Sequence, residues 1–203
     1  MTATHSEETI KLPAPNLDGD VSLEAAMQQR RSVREYGRKS LTQAEVSQLT
    51  WAAQGISGAK PYKRTAPSAG GRCPLELFVL VGEVDGIVGG LYRYNADEHA
   101  LLAIHDRDLR LELGRAAVDQ TWIADAPVVF VFAAVYERTS SKYGDRGTRY
   151  VHMDVAFASE NLHLQAVALD LGTVVMGAFV DEQVHQVMGL AEDERPLLIM
   201  PVG

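Results

Sequence analysis

A chain of 203 residues with one cysteine, Cys73, can form no internal disulfide and cannot build a thiolate metal cluster by itself. Such sparing use of cysteine fits a reducing compartment. Long apolar runs are also missing. None reaches the roughly 18 residues expected of a spanning helix, and the polar start MTATHSEETIK has no signal-peptide core, so a cytoplasmic protein is expected. No GxGxxG follows a strand-like run and no Walker A sequence occurs, which leaves a Rossmann or P-loop nucleotide site without support. HExxH is absent, and the histidines, His5, His99, His105, His152, His163 and His185, are scattered. Only His152 and His163 share a predicted helix, where packed or solvated roles outweigh a metal site; no metal is expected. Cys73 carries no local signature of a nucleophile. Positive charge is outnumbered, 19 Lys and Arg against 27 Asp and Glu, for a formal net charge of −8. That balance opposes non-specific attraction to nucleic acid or an anionic membrane.

Against this background the stretch QRRSVREYGRKS, 29–40, gathers Arg30, Arg31, Arg34, Arg38 and Lys39. A basic cluster in an acidic chain points to a small local anion such as a phosphate. Its position offers another explanation, because the cations follow a helical segment whose C-terminal end favours positive charge through the helix dipole.

A hydrophobic content of 46% suits one globular domain or a protomer of a dimer. Residues 1–20, with Pro13, Pro15, Asn16 and Gly19, read as an extended or disordered arm, and 21–203 as a single domain. SLEAAMQQRR predicts a helix with Ser22 as N-cap. LTQAEVSQLTWAAQG opens with a capping-box pattern from Thr42 to Glu45 and places Val46, Leu49, Ala53 and Ile56 on one face. A long loop, 55–72, is rich in glycine and proline, more than a plain connection requires. LELFVLVG predicts a strand, and GLYRYNADEHALLAI two strands joined near Asn95 to Glu98. Asp106 is placed to cap a helix through LRLELGRAAV, and PVVFVFAAVY predicts a buried strand. A long helix over roughly 150–171 has apolar residues round much of its circumference, so it is expected to be central and buried. TVVMGAF, a capped helix from Asp181 and the closing PLLIMPVG complete an α+β pattern without internal repeats.

RRSVREY after a short helix, then APSAGGRCP, then a long amphipathic helix followed by GTVVMGAF, and finally PLLIMPVG, together resemble the FMN-dependent nitroreductase family over about 22–203. The resemblance implies an α+β fold with a mixed or antiparallel sheet packed with helices, in an interlocked homodimer with FMN at the interface. It implies an oxidoreductase that passes hydride from NAD(P)H through FMN to a small organic acceptor such as a nitroaromatic or quinone, with no nucleic-acid or membrane partner. Carried over by motif, Arg30, Arg31, Ser32 and Arg34 grip the FMN phosphate and ribityl chain, while Arg38 and Lys39 lie beyond the motif, toward solvent. Pro67, Ser68, Ala69 and Gly71 match a loop that reaches from one subunit to the flavin of the other; relatives often have an amide side chain near Gly71. Gln120 lies near another flavin-contacting segment, with a plain surface role as the alternative. Met176, Gly177 and Ala178 match the turn beside the isoalloxazine, with strand-end packing as the alternative. Relatives usually continue past the PVG strand to a basic residue on the phosphate, so a weaker phosphate clamp is expected here.

Within the family, SKYGDRGTRY resembles the azoline oxidases, which carry a Lys-Tyr pair matched by Lys142 and Tyr143. That branch implies reversed electron flow, with hydride removed from an azoline-like substrate while Lys142 or Tyr143 takes a proton. A solvated loop motif is the alternative for this pair, and a flavin-binding storage or sensing protein is the alternative for the whole chain.

Overall fold

A computed structural model describes residues 9–37 and 39–203, so Arg38 and the first eight residues of the expected arm lie outside the described residues. In chain order the elements are β1 (Thr9–Lys11), α1 (Leu23–Gln29), β2 (Leu41–Thr42), α2 (Gln43–Gln54), β3 (Leu75–Val81), β4 (Val84–Asp85), β5 (Gly90–Asn95), β6 (Ala100–His105), α3 (Arg110–Ala116), β7 (Val128–Val135), α4 (Glu137–Tyr143), α5 (Arg146–Ala168), α6 (Asp181–Met188) and β8 (Glu194–Val202). Six strands form one sheet in the order β1-β6-β5-β3-β7-β8, every neighbouring pair antiparallel. The expectation of a mixed or antiparallel sheet thus resolves to antiparallel, with β2 and β4 as a separate two-residue parallel pair.

Strand β7 explains the layering. All of its residues are buried, so neither face can be left to water. Because side chains alternate along a strand, Val128, Phe130, Phe132 and Ala134 join one core, which α2 and α5 complete through Val46, Leu49, Val151, Val155, Ala158 and Leu162. Val129, Val131 and Ala133 join the opposite core with Leu113 of α3 and Val184 and Met188 of α6. The protein is α+β, a helix-covered antiparallel sheet.

Local chemistry sets most element boundaries. Ser22 caps α1, its Oγ accepting from Ala25 N–H at 3.1 Å. The capping box of α2 is complete, with Glu45 N–H donating to Thr42 Oγ1 at 3.2 Å and Thr42 N–H to Glu45 Oε2 at 2.7 Å. Helix α2 stops at Gln54, so Ile56 leaves the expected apolar face and bridges to Arg64. The expected cap of α3 is corrected: the N-cap position is Leu109, without a side-chain cap, and Asp108 before it accepts from Arg110 N–H at 3.1 Å and holds the Arg110 guanidinium. Asp181 is the first residue of α6 and makes no side-chain cap; its charge still suits the positive helix start.

Two expectations about burial change. The sheet begins before Ser22, and the described part of the arm is docked: Pro13 carbonyl accepts from His99 Nε2 at 2.9 Å, and Asn16 N–H donates to Gln48 Oε1 at 2.7 Å. Helix α5 buries only the face carrying Val151, Val155, Ala158, Leu162 and Ala166, spaced by three and four. On its other side Met153 and Phe157 are 46% and 50% exposed, so the helix is not buried all round within one chain.

Candidate functional site

The basic segment is fixed by its backbone. Arg30 ends α1, its N–H donating to Ala26 carbonyl at 2.9 Å, and the chain then runs extended. Ser32 forms a parallel bridge to Thr173, Val33 N–H donates to Thr173 carbonyl at 2.9 Å, and His163 of α5 donates from Nε2 to Arg31 carbonyl at 3.0 Å. With the main chain held in this way, Arg31, Ser32 and Arg34 expose their side chains. Among the described residues no carboxylate lies within 4.0 Å of Arg30, Arg31 or Arg34. One Arg31 nitrogen donates to Gln28 carbonyl at 3.0 Å, so the helix end uses a small part of the cluster. The helix-end explanation thus covers Arg30, the C-cap of α1, and Arg31, and it leaves Arg34 unaccounted for.

The same scaffold carries the turn 176–178. Met176 N–H donates to Ile199 carbonyl and Ile199 N–H to Met176 carbonyl, each at 2.9 Å. Met176 points into the core, whereas Gly177 and Ala178 are exposed. Strand-end packing therefore describes the Met176 side chain, and the open surface here belongs to Gly177 and Ala178. Gln120 is brought to this turn, its Nε2 donating to Ala178 carbonyl at 3.3 Å and to Ala117 carbonyl at 2.8 Å.

The loop 67–71 is anchored elsewhere on α5, by a residue that the sequence reading missed. Asp154 is 4% exposed and accepts from Ser68 Oγ at 2.7 Å and from Ala69 N–H at 3.3 Å with each carboxylate oxygen. Burial pushes the Asp154 carboxyl above its ordinary value, partly offset by those hydrogen bonds from Ser68 and Ala69. Ser68 Oγ also accepts from Cys73 N–H at 2.9 Å, so this hydroxyl is engaged within the protein and the loop offers main chain at its surface. The signal for Asp154 is an acid at helical spacing beside Val151 and Ala158, where a buried charge requires a partner.

Gly70 and Gly71 have φ of 61° and 65°, left-handed values that glycine adopts without strain. A Cβ on Gly70 would lie 2.5 Å from Tyr143 Oη and 2.9 Å from Lys142 Nζ. The predicted catalytic pair therefore stands directly on the glycine loop. It does so from a helix, not from the expected loop: Lys142 and Tyr143 form the last turn of α4, which Gly144 ends with φ 56°. Gly147 allows α5 to fold back closely, since a Cβ there would lie 2.7 Å from Ser140 Cα. Tyr143 meets Tyr150 edge-on at 5.0 Å, and Lys142 Nζ lies 5.2 Å from the Tyr143 ring centre.

Two groups result. Arg30, Arg31, Ser32, Arg34, Gln120, Gly177 and Ala178 gather about the β8 edge, and Pro67, Ser68, Ala69, Gly71, Lys142 and Tyr143 gather about the other end of α5. Asp154 and His163, which anchor the two groups, are nine residues apart on one helix, or about 13 Å along its axis. The histidines of α5 have separate roles, His163 buried against Arg31 and exposed His152 sharing a 2.6 Å hydrogen bond with Tyr136 Oη. No helix among the described residues is long and apolar enough to cross a membrane.

The Nitroreductase family profile matches residues 27–203. The chain belongs to the nitroreductase family. A Methanocaldococcus jannaschii protein named a nitroreductase is 43% identical over 196 residues, covering 97% of each chain. The trifolitoxin operon protein TfxC of Rhizobium leguminosarum is 27% identical over 208 residues, covering 94% of this chain and 57% of its own. The crystal structure of a Ralstonia eutropha protein named a nitroreductase superposes with a TM-score of 0.85 at 30% identity, over 98% of this chain and 90% of that one. The E. coli microcin synthetase complex gives 0.73 at 20% identity over 98% and 78%, a likeness of fold alone. The chain is thus similar to nitroreductases in sequence along its length and to both groups in fold.

The Asp154 anchor has a pH signature. A carboxyl whose folded pKa is raised above 3.8 binds its proton more readily in the folded state. Between 3.8 and the raised value the folded protein therefore loses stability as pH rises, and the penalty of a buried charge persists above that window. Asp154→Asn is expected to flatten this slope. Asp154→Ala, which leaves the Ser68 hydroxyl and the Ala69 N–H without their acceptor, is expected to lower stability by about 1–3 kcal/mol at neutral pH. Urea unfolding across the acid range measures both, and equal slopes in wild type and Asp154→Asn would refute the assignment.

Proposed function

We propose that this nitroreductase-family protein is an FMN-dependent oxidoreductase that moves two electrons from NAD(P)H to a small organic acceptor such as a nitroaromatic or quinone. The observation that carries the reading is a carboxylate-free set of arginines fixed on the same sheet edge as a bare glycine turn. Arg30 and Arg34 offer planar forks of donors suited to a phosphate monoester, and Arg31 and Ser32 add donors for the adjoining chain. At Gly177 the nearest neighbour of an added Cβ is Leu198 at 3.9 Å, so the main chain is open to a flat ring. Gln120 would hold the turn in that position through Ala178 carbonyl. When bound, FMN supplies a carrier that accepts and releases hydride.

A second copy of the chain would account for the remaining predicted contacts. Within one protomer the anchors of the loop 67–71 and of the arginine segment lie about 13 Å apart along α5, and the family resemblance pairs this loop with the cofactor bound by a partner. Met153 and Phe157 on α5, with Leu23 and Met27 on α1, leave exposed apolar area that a homodimer would bury. Lys142 and Tyr143, lying on Gly70, would then face the acceptor rather than hold the cofactor. Their contact with the glycine loop also supports a second reading, an azoline-oxidase-like dehydrogenase in which Tyr143 Oη takes the substrate's proton.

Anaerobic titration of the FMN-loaded protein with NADH or NADPH tests the first reading, and bleaching of the flavin absorbance is the expected result. Bound FMN that neither donor reduces would favour a storage or sensing role. Arg30→Ala or Arg34→Ala should weaken FMN by roughly ten- to a hundredfold, the equivalent of about 1.5–3 kcal/mol for a charge-assisted hydrogen bond, with riboflavin little affected. Equal wild-type affinity for FMN and riboflavin contradicts the phosphate assignment. A flavin-saturated monomer in sedimentation contradicts the shared site.

Tyr143→Phe separates the two readings. It should retain FMN and its spectrum, and slow azoline oxidation by the roughly 10²–10⁴-fold typical of general acid–base catalysis, while nitroaromatic reduction falls far less. Unchanged azoline turnover in Tyr143→Phe and Lys142→Ala would assign the pair no chemical role.

A further inference from the structure

The segment 55–72 contains Lys60, Lys63, Arg64 and Arg72 and no acidic residue, although the chain as a whole carries a net charge of −8. Tyr62 brings part of this segment to the glycine pair. Tyr62, 46% exposed, lies against Gly71, where an added Cβ would sit 3.4 Å from Tyr62 Cδ2. The ammonium groups of Lys60 and Lys63 lie 5.7 and 5.8 Å from the Tyr62 ring centre. From the other side Tyr143 and Lys142 lie over Gly70. Arg72 ties the two rims together, donating from Nε to Arg138 carbonyl at 2.7 Å and from Nη2 to Ser141 Oγ at 3.2 Å. Among the described residues none of Lys60, Lys63, Arg72 or Lys142 has a carboxylate within 4.0 Å. The glycine pair is therefore bordered by Tyr62 and by Tyr143 with Lys142, and Lys60 and Lys63 stand beside the Tyr62 ring, all three ammonium groups free of carboxylates among the described residues.

We propose that the substrate passing over Gly70 and Gly71 is a small aromatic anion. This rests on the reading that these glycines border the reacting site. Tyr62 and Tyr143 suit an aromatic ring, and Lys60, Lys63 and Lys142 suit a carboxylate or phosphate attached to it. Lysine is a compact point charge on a flexible stem, which fits an anion that must enter and leave. A long polyanion does not fit, because the net negative charge of the rest of the molecule repels it beyond this local patch. Exposed ammonium groups attract mainly through an ionic field, so the preference must weaken as salt shortens the Debye length.

Para-nitrobenzoate and para-nitrobenzamide, matched in shape and different in charge, test this on the FMN-loaded protein. Binding is followed by calorimetry without a reductant, so the readout does not depend on turnover. The benzoate is expected to bind about tenfold more tightly at roughly 0.01 M salt, and to lose most of that advantage near 1 M. In a Lys60→Gln, Lys63→Gln double variant, which keeps the proposed FMN contacts, the gap between the two compounds should close at low salt. Equal affinities in the wild type, or an advantage that survives the double substitution, would overturn the inference. Failure of the flavin reading is seen separately, as a protein that takes up no FMN; flavin-loaded protein that does not distinguish the two compounds fails this inference alone.

Discussion

Burial of β7 on both faces is the constraint from which the rest of the fold follows. A strand whose side chains all lie in the core requires helices on either side, and α2 with α5, and α3 with α6, provide them. Its neighbour β8 is then left at the edge of the sheet, where unpaired main-chain groups would invite association with another strand. The edge is closed without a seventh strand. Thr173 bridges to Val202 and Met176 to Ile199, and the basic segment adds a further bridge from Ser32 to Thr173. Because short irregular segments do this work, their intervening side chains are free to face outward. The candidate cofactor surface is a consequence of how the sheet edge is satisfied.

Helix α5 adds a second constraint. Besides Ser159, whose hydroxyl donates to Ala156 carbonyl within the helix, it carries the buried polar side chains Asp154 and His163, and a buried polar group is tolerated only with a hydrogen-bonding partner. Both find theirs in the main chain of site segments: Asp154 at Ala69, with the Ser68 hydroxyl, and His163 at Arg31. One rigid helix thereby fixes the spacing between the arginine segment and the glycine loop. The proposed dimer makes use of that spacing, since a loop held away from its own arginines is available to another copy.

Much of this was legible because it is local. The capping box at Thr42, the Ser22 cap, the two strands about Asn95 to Glu98 and the β-branched run of β7 each depend on neighbours within a few residues. Errors arose where tertiary packing decides. ERTSSKY mixes good helix formers with Thr139, Ser140 and Ser141 and is followed by Gly144, so Lys142 and Tyr143 read as loop; the structure makes the segment a helix, with Gly147 packed against Ser140. Asp106 is a plausible cap by type, but α3 starts later, with Leu109 at the N-cap and Asp108 drawn to the Arg110 guanidinium. Asp154 is missed because its sole signal is an acid on an apolar stripe, and its partners lie 85 and 86 residues away. The apolar circumference of α5 was read as burial, whereas a single chain covers one face and leaves Met153 and Phe157 outside.

The two basic regions of this acidic chain differ in a way that matches different kinds of ligand. Arg30, Arg31 and Arg34 extend from a backbone pinned at Val33 and at Arg31 carbonyl, so their forks start from a fixed origin and lose less freedom on meeting a phosphate. That economy favours a group held through many reaction cycles. Lys60, Lys63 and Lys142 are long, exposed and, among the described residues, free of carboxylate partners, with the rings of Tyr62 and Tyr143 beside them. Holding them against one ligand geometry opposes side-chain entropy, about 1.5–2 kcal/mol for a fully fixed lysine, so the proposed anion would be held weakly and would exchange readily. Retention at the arginine segment and exchange at the lysine rim are the two properties that a carrier site and a passing substrate respectively require.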